Sequence, residues 1–135
     1  MPQGTPTVEL GTLVEGGLAP AIFAIVDRGV GRRPHLASGL EAEVEFNFNE
    51  SYPSVRVLFG NPTVLVEDGP ATEPDLRISG ELPDLVSLMV APLVKGLPNP
   101  IDRRGRAALG MVAQRRVRVD GKLGLLRRVL GVIGV

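Results

Sequence analysis

The stretch EAEVEFNFNESYPSVRVLFGNPTVLV, residues 41–66, decides the fold of this chain. Apolar and polar residues alternate along 42–48, and the alternation resumes along 55–59 and 64–66. A period of two is typical of a β-strand with one buried face. The segments between these runs are rich in Asn, Gly, Pro and Ser, which favour turns. The stretch therefore predicts three antiparallel strands whose apolar faces lie on one side.

The apolar pattern also suggests a register for the first hairpin. If Asn47 pairs with Arg56, Phe46 lies opposite Val57 and the apolar faces coincide. The glutamates of the first strand then share the opposite face, which we expect to be solvated and partly compensated by the arginine. We interpret the acidic residues at 67–75 as a soluble loop.

Further helices and strands flank this sheet, as their periodicity and their Gly and Pro boundaries indicate. The predicted elements are a helix from Leu18 that ends at glycines 29 and 31, a strand over 75–79, a helix from Pro83 whose apolar stripe reaches Leu93, a helix over 107–112, a strand over 117–120 and a closing amphipathic helix over 126–133.

Length and composition limit the class of protein. With 135 residues the chain is long enough for one domain, placed at 1–135 with 1–17 as a candidate flexible N-terminal segment. The absence of cysteine excludes disulfides, thiol nucleophiles, thiolate zinc sites and iron–sulfur clusters. The longest apolar run covers nine residues, whereas a membrane-spanning helix needs about 20. Because no secretory signal opens the sequence, we expect a cytoplasmic protein.

The net charge of zero hides two parts of opposite sign. Residues 1–100 hold 13 acids and 6 bases, whereas residues 101–135 hold 2 acids and 9 bases. This basic C-terminal third either neutralises the acidic part of the fold, which we favour, or contacts phosphate, an anionic membrane surface or an acidic partner. With no tryptophan and one tyrosine available for stacking on bases, nucleic acid is not an expected partner.

No constellation of residues in the sequence predicts catalysis or metal binding. The single histidine, His35, falls in an apparent loop, and neither a nucleophile–base pair nor a histidine-rich metal site is evident. The Gly121-Lys122 pair fails as a phosphate loop because Arg116 stands where a glycine is required. The glycines of 29–31 follow a helix and not a strand, so they are no dinucleotide fingerprint. We expect no enzyme activity, no cofactor and no metal.

Four short segments of the C-terminal half occur in a specific order: PDLRI at 74–78, LPDLVSL at 82–88, VRVDGK at 117–122 and LL at 125–126. This order of strand, Asp-Leu helix, strand ending in glycine and apolar closing helix resembles the sterol carrier protein-2 family. The resemblance covers roughly residues 40–133. Compact, arginine-rich chains such as this one look like bacterial stand-alone members.

The resemblance implies an α/β (α+β) fold, with a five-stranded mixed sheet covered on one face by helices. It also implies an apolar tunnel that accepts sterols, fatty acids or acyl-CoA, and it carries over no catalytic machinery. Two features depart from the family pattern. The link at 92–106 is longer than usual, and residues 133–135 are no peroxisomal signal.

We predict that an apolar ligand is bound, and transferred, in a tunnel between the sheet and the helices. Met89 and Met111 are expected to be adaptable wall residues because the methionine side chain is flexible. The predicted ligand-binding residues are Phe46, Phe48, Val57, Phe59, Leu85, Met89, Leu93, Leu109, Met111, Val112, Leu126, Leu130 and Ile133.

The same side chains would also fill an ordinary core. In that alternative, the protein is a non-enzymatic interaction domain or a homodimer that buries its closing helix against a partner. Under the lipid-carrier hypothesis, in contrast, we expect the partner to be an apolar small molecule. We also expect a transient contact with an anionic membrane through the basic C-terminal third.

Overall fold

Helices cover one face of a six-stranded sheet. The computed structural model describes residues 5–49, 52–90, 93–94, 97–98 and 117–133. In chain order, the elements are β1 (Thr7–Leu10), α1 (Ala19–Arg32), α2 (Pro34–Ser38), β2 (Ala42–Asn47), β3 (Val55–Phe59), β4 (Thr63–Asp68), β5 (Leu76–Gly80), α3 (Leu82–Val90), β6 (Leu93–Val94), β7 (Leu97–Pro98), β8 (Val117–Gly121) and α4 (Leu123–Ile133). None of the helices within these ranges is long and apolar enough to cross a membrane.

The sheet is mixed, and its strands lie in the order β1, β4, β3, β2, β5, β8. The pairs β2–β3, β3–β4 and β5–β8 are antiparallel, whereas β1–β4 and β2–β5 are parallel. The three antiparallel strands predicted from residues 41–66 are confirmed, as are the strands near 75–79 and 117–120. The predicted mixed sheet with helices on one face is therefore confirmed, with six strands in place of five. β6 and β7 pair separately.

The additional strand is β1, which lies at the sheet edge within the segment 1–17. It has only four residues, TVEL, and most of them are exposed, so its alternation is too short to mark a half-buried strand. Its partner is distant in sequence, since Val8 lies beside Val64 in the parallel pairing with β4. The strand depends on this tertiary contact, which a local pattern does not predict.

The predicted register of the first hairpin is wrong by two residues. Phe46 pairs with Val55 and not with Val57, and Glu45 takes the position opposite Arg56. A shift of two residues keeps both apolar faces together, so the hydrophobic pattern does not distinguish the two registers. The observed register places Arg56 within reach of Glu43, its diagonal neighbour on β2, with which it forms an ion pair.

α1 continues past the glycines that were expected to end it and stops at Arg32. Gly29 is buried inside this helix, and a Cβ atom at that position would collide with the carbonyl oxygen of Val132 in α4. The glycine therefore permits a close approach between two helices and does not end one. The expected loop around His35 is the short helix α2, on which His35 is exposed.

Two other helix predictions have different outcomes. The closing helix is confirmed as α4. The stripe of the preceding helix is shorter than predicted, because α3 ends at Val90 and Leu93 lies on β6. A proline at position 92 disfavours continuation of a helix. The helix predicted over 107–112 lies outside the described residues.

The inner face of the sheet and the helices share one apolar core. Alternate residues of β2 to β5 point into it, and apolar stripes of α1, α3 and α4 cover them. Burial of each such aliphatic or aromatic side chain contributes about 1.5–3 kcal/mol. Its larger members outside the predicted ligand site are Ile22, Val26, Val30, Leu40, Val44, Val55, Val64, Val66, Leu76, Ile78, Leu88, Val117, Val129 and Val132.

The outer face of the sheet carries ion pairs, and part of it is covered by the chain. Arg56 Nε lies 2.6 Å from Glu43 Oε2, and Arg56 Nη1 lies 2.8 Å from Glu67 Oε1. Arg77 Nε lies 2.9 Å from Glu45 Oε1, and the N–H of Ala71 donates to Glu45 Oε2 at 2.8 Å. Glu45 is only 3% exposed. The expectation of a solvated acidic face is therefore wrong for Glu45, because the segment after β4 folds back over it, whereas the expected compensation by Arg56 is confirmed at Glu43.

Glu67 is expected to make the stability of the fold sensitive to acid. The N–H of Thr12, followed by Arg56, lowers the pKa of the Glu67 carboxyl below its usual value near 4.5, although burial opposes this. A carboxylate with a depressed folded-state pKa stabilises the protein fully above the unfolded value, and that contribution is lost as the pH falls through the folded value.

The free energy of unfolding should therefore fall as the pH drops below about 4.5, and Glu67→Gln should reduce this slope. Urea unfolding at a series of pH values tests the prediction. Glu9→Gln, an exposed change on β1, is the control. Identical pH profiles for wild type and Glu67→Gln would contradict the assignment.

Candidate functional site

Most of the predicted ligand-binding residues lie together between the sheet and the helices. Nine of the thirteen belong to the buried apolar core: Phe46, Phe48, Val57, Phe59, Leu85, Met89, Leu126, Leu130 and Ile133. Leu93 lies on β6. Leu109, Met111 and Val112 lie outside the described residues. The assignment of this set to a ligand site stays a prediction, on which the proposed function below depends.

Regular periodicity brings the nine side chains to one place. Alternate residues of β2 and β3 face the helices. Leu85 and Met89 are four residues apart, so they lie on the same face of α3. Leu126, Leu130 and Ile133 occupy one stripe of α4 in the same way. Each of the nine is at most 7% exposed, so a ligand in this region must separate side chains that now contact one another.

α1 contributes core residues that the predicted ligand set omits. Ile22, Val26 and Val30 are buried at helical spacing and belong to the same cluster as the predicted residues. The periodicity that predicted this helix was the available signal for its inner face. It did not show that α1 packs beside α4, which depends on the contact at Gly29.

Two arginines hold α4 to the neighbouring helices. Arg33, which follows α1, donates through Nη1 to the carbonyl oxygen of Gly131 at 2.9 Å. Arg128 of α4 donates in the opposite direction to the carbonyl oxygen of Gly39, which follows α2. The apolar stripe of α4 is thus buried within its own domain, so the idea that this face forms a homodimer interface is wrong.

An open cleft of about 520 Å³ lies where α4 begins, beside the ends of β5 and β8. Sequence reasoning missed it because its residues come from three separate segments and form no motif. Its floor includes Leu125, a half-buried residue that also packs against the apolar core. The cleft is lined by Glu41, Asp75, Gly121, Lys122, Gly124, Leu125 and Arg128.

The acidic residues at 67–75 have structural contacts that the interpretation as a soluble loop did not include. Asp68 is 4% exposed and accepts hydrogen bonds from the N–H groups of Val14 and Ala19. Asp75 accepts a hydrogen bond from the N–H of Glu43 through Oδ2 at 2.8 Å. That interpretation is therefore wrong for the buried Asp68, whereas Asp75 is exposed to solvent. Among the described residues, no group of three side chains could hold a metal ion.

No protein-family model and no curated protein sequence matches the chain. Solved structures do match it. A UbiJ-SCP2 ubiquinone synthesis protein superposes with a TM-score of 0.59 at 14% identity, over 86% of this chain and 88% of its own. Apo sterol carrier protein 2 of Yarrowia lipolytica superposes with a TM-score of 0.56 at 16% identity, over 89% of this chain and 92% of its own. The sterol carrier protein domain 2 of Helicoverpa armigera superposes with a TM-score of 0.57 at 11% identity, over 90% of this chain and 88% of its own.

A part of a larger protein matches as well. The inverting sec-alkylsulfatase Pisa1 from Pseudomonas sp. aligns with a TM-score of 0.54 at 16% identity, over 75% of this chain but only 14% of the sulfatase chain. At these identities the likeness establishes the fold. The protein has the sterol carrier protein 2-like fold that the ordered sequence segments predicted.

Proposed function

We propose that the protein binds and transfers an apolar ligand, such as a fatty acid, an acyl-CoA or a sterol-like lipid, between its sheet and its helices. The observation that carries the proposal is the single apolar cluster formed by nine predicted residues, in a fold shared with sterol carrier proteins. No chemical step is part of it, and the single histidine is exposed on α2.

The energetics of a single acyl chain are compatible with binding. Burying the methylenes of a sixteen-carbon chain, at about 0.8 kcal/mol each, gives about 12 kcal/mol before costs. Ordering the ligand opposes this by about 4–15 kcal/mol. The chain must also displace contacts among core side chains. The two arginine–carbonyl hydrogen bonds of α4 have a charged donor and each contribute about 1.5–3 kcal/mol net, which adds to the cost of moving this helix to admit a ligand.

Leu126→Trp is expected to lower the affinity for a fluorescent fatty acid by about tenfold, because the larger ring fills the space that the acyl chain requires. Leu126 is in the core cluster and is 7% exposed. Val86→Trp, on the exposed side of α3, is the matched control and should leave affinity unchanged. Leu126→Met, which nearly preserves volume, should also bind normally.

Thermal melts of the three variants separate loss of binding from loss of fold. If folded Leu126→Trp binds the fatty acid as tightly as Val86→Trp does, the ligand lies elsewhere.

Transfer requires contact with a membrane, for which we propose the exposed basic side of α4. Lys122, Arg127 and Arg128 are exposed there, and Arg32 is exposed at the end of neighbouring α1. Each basic residue near an anionic surface contributes about 1 kcal/mol. Cosedimentation with phosphatidylglycerol vesicles should therefore weaken as salt is raised. Binding that is insensitive to salt would contradict this contact.

Self-association is a second candidate function, and the edge of the sheet favours it. β1 is an edge strand, and Leu10, Leu13 and Val14 at its end are exposed. Unpaired strand edges beside apolar side chains are sites of association between chains. Sedimentation velocity at increasing concentration distinguishes the candidates, because a monomer at all concentrations would exclude a homodimer over the range tested.

A further inference from the structure

The cleft at the start of α4 carries charges of both signs. Lys122 and Arg128 supply cations from α4 and the residue before it, whereas Glu41 and Asp75 supply carboxylates from the residues preceding β2 and β5. The ion pairs between described residues all lie elsewhere, on the outer face of the sheet, so these four charged side chains do not pair with one another.

Each charged group keeps hydrogen-bonding capacity for a ligand. Asp75 uses Oδ2 for the N–H of Glu43 and has a second carboxylate oxygen. Arg128 uses Nη2 for the carbonyl oxygen of Gly39 and has further N–H donors. Glu41 and Lys122 are exposed to solvent at the cleft. A ligand group with both an anion and a cation would therefore find complementary charges here.

Two glycines line the cleft. Gly121 has a φ of 136°, which side chains rarely adopt, and a Cβ atom there would lie 2.6 Å from the carbonyl oxygen of Asp75. Gly124 lines the cleft, and a Cβ atom at this position would meet no atom within 4 Å. The space is therefore available to a ligand, and a larger residue at 124 would occupy part of it.

Leu125 connects the cleft to the apolar interior. It lines the cleft, and it also packs against the core cluster. One side chain thus separates a charged, solvent-accessible site from the space proposed for an acyl chain. An amphiphile with its headgroup in the cleft would extend its chain past Leu125.

We propose that this cleft binds the headgroup of a single-chain lipid that carries both a phosphate and an ammonium group, with Lys122 and Arg128 on the phosphate and Glu41 and Asp75 on the ammonium. This inference deepens the proposed function and rests on it. It narrows the ligand class, because the hydroxyl of a sterol carries no charge for these side chains and a purely anionic headgroup is repelled by the carboxylates.

Four probes that share a sixteen-carbon chain and differ in headgroup test the proposal. Their binding is measured by displacement of a fluorescent fatty acid, with each probe below its critical micelle concentration. Palmitoyl-lysophosphatidylethanolamine is expected to bind about tenfold more tightly than palmitate, hexadecanol or hexadecylamine. Free phosphoethanolamine, which lacks the chain, should displace the probe only weakly, because apolar burial supplies most of the binding.

Charge variants should change the ranking in opposite directions. Glu41→Gln is expected to lower the affinity for the zwitterionic lipid by about threefold to tenfold and to raise the affinity for palmitate. Lys122→Gln should lower the affinity for both lipids. Neither variant should change the affinity for hexadecanol. Glu9→Gln on β1 and Arg28→Gln on α1 are exposed charge changes outside the cleft and should have no effect.

A pair of glycine variants tests the space itself. Gly124→Leu should reduce binding of the zwitterionic lipid by about tenfold, whereas Gly31→Leu, an exposed position on α1 that is equally open, should not. Both replace a helical glycine with a better helix former, so neither should unfold the protein.

Equal binding of all four probes, unchanged by the variants, would overturn the headgroup site and leave the proposed function standing. If none of the probes binds, the proposed function fails and this inference fails with it.

Discussion

Gly29→Ala is expected to lower the free energy of unfolding by about 1–3 kcal/mol, the usual cost of overpacking. Its new methyl group would meet the carbonyl oxygen of Val132, which is backbone and has no rotamer to change. Gly31→Ala, two residues further along α1, meets nothing within 4 Å. It should raise stability by about 0.5–1 kcal/mol, because alanine is the better helix former.

Urea unfolding of the two variants and wild type gives the comparison directly. Opposite signs for two identical substitutions in one helix would demonstrate that the helix–helix contact decides the outcome and not helix propensity. If both substitutions stabilise the protein, α1 and α4 do not approach as closely as the structure places them.

Asp68→Ala is expected to destabilise the fold by about 2–4 kcal/mol. Oδ1 accepts the N–H of Ala19 at the start of α1, and Oδ2 accepts the N–H of Val14, each at 3.0 Å. Alanine would leave both donors without their partner. The N–H of Ala19 is buried, where an unsatisfied donor costs about 1–3 kcal/mol, and the part-buried N–H of Val14 adds less. One carboxylate thus joins the end of β4 to the preceding loop and to the first turn of α1.

Two further variants distinguish this role from a general effect of removing charge. Asp68→Asn keeps one side-chain oxygen and should lose less stability than Asp68→Ala. Asp27→Ala, at an exposed position on α1, should change stability by no more than about 0.5 kcal/mol. Similar unfolding midpoints for Asp68→Ala and wild type would contradict the capping role.

Residues with strong periodicity could be predicted from the sequence. Strands β2 to β4 alternate with a period of two, and α4 carries a clear apolar stripe, so both their type and their buried faces were predicted correctly. The hairpin register could not be predicted, because a shift of two residues preserves the apolar pattern, and that pattern does not show which glutamate reaches Arg56.

Features that depend on residues far apart in the sequence were missed, because a local pattern does not show such contacts. β1 is a strand because it pairs with β4, and a glycine is required at position 29 because the backbone of Val132 approaches it. The apolar cluster was predictable because burial follows periodicity. The cleft was not predictable from the sequence, because residues near 41, 75 and 121–128 meet only in the folded chain.

The ordered segments at 74–126 were the most informative sequence signal. They predicted the fold correctly, although the structural relatives are only 11–16% identical. Sequence order therefore identified the architecture, and the chemistry of the ligand had to be inferred from the residues of this chain.

The central claim is that the space between the sheet and the helices accepts an apolar chain. Titration of the delipidated protein with a fluorescent fatty acid, followed by competition with fatty acid, acyl-CoA and sterol, tests it most directly. We predict saturable binding of one probe per protein molecule that an unlabelled single-chain lipid displaces. A linear, unsaturable signal that no lipid displaces would contradict the claim and indicate a filled core.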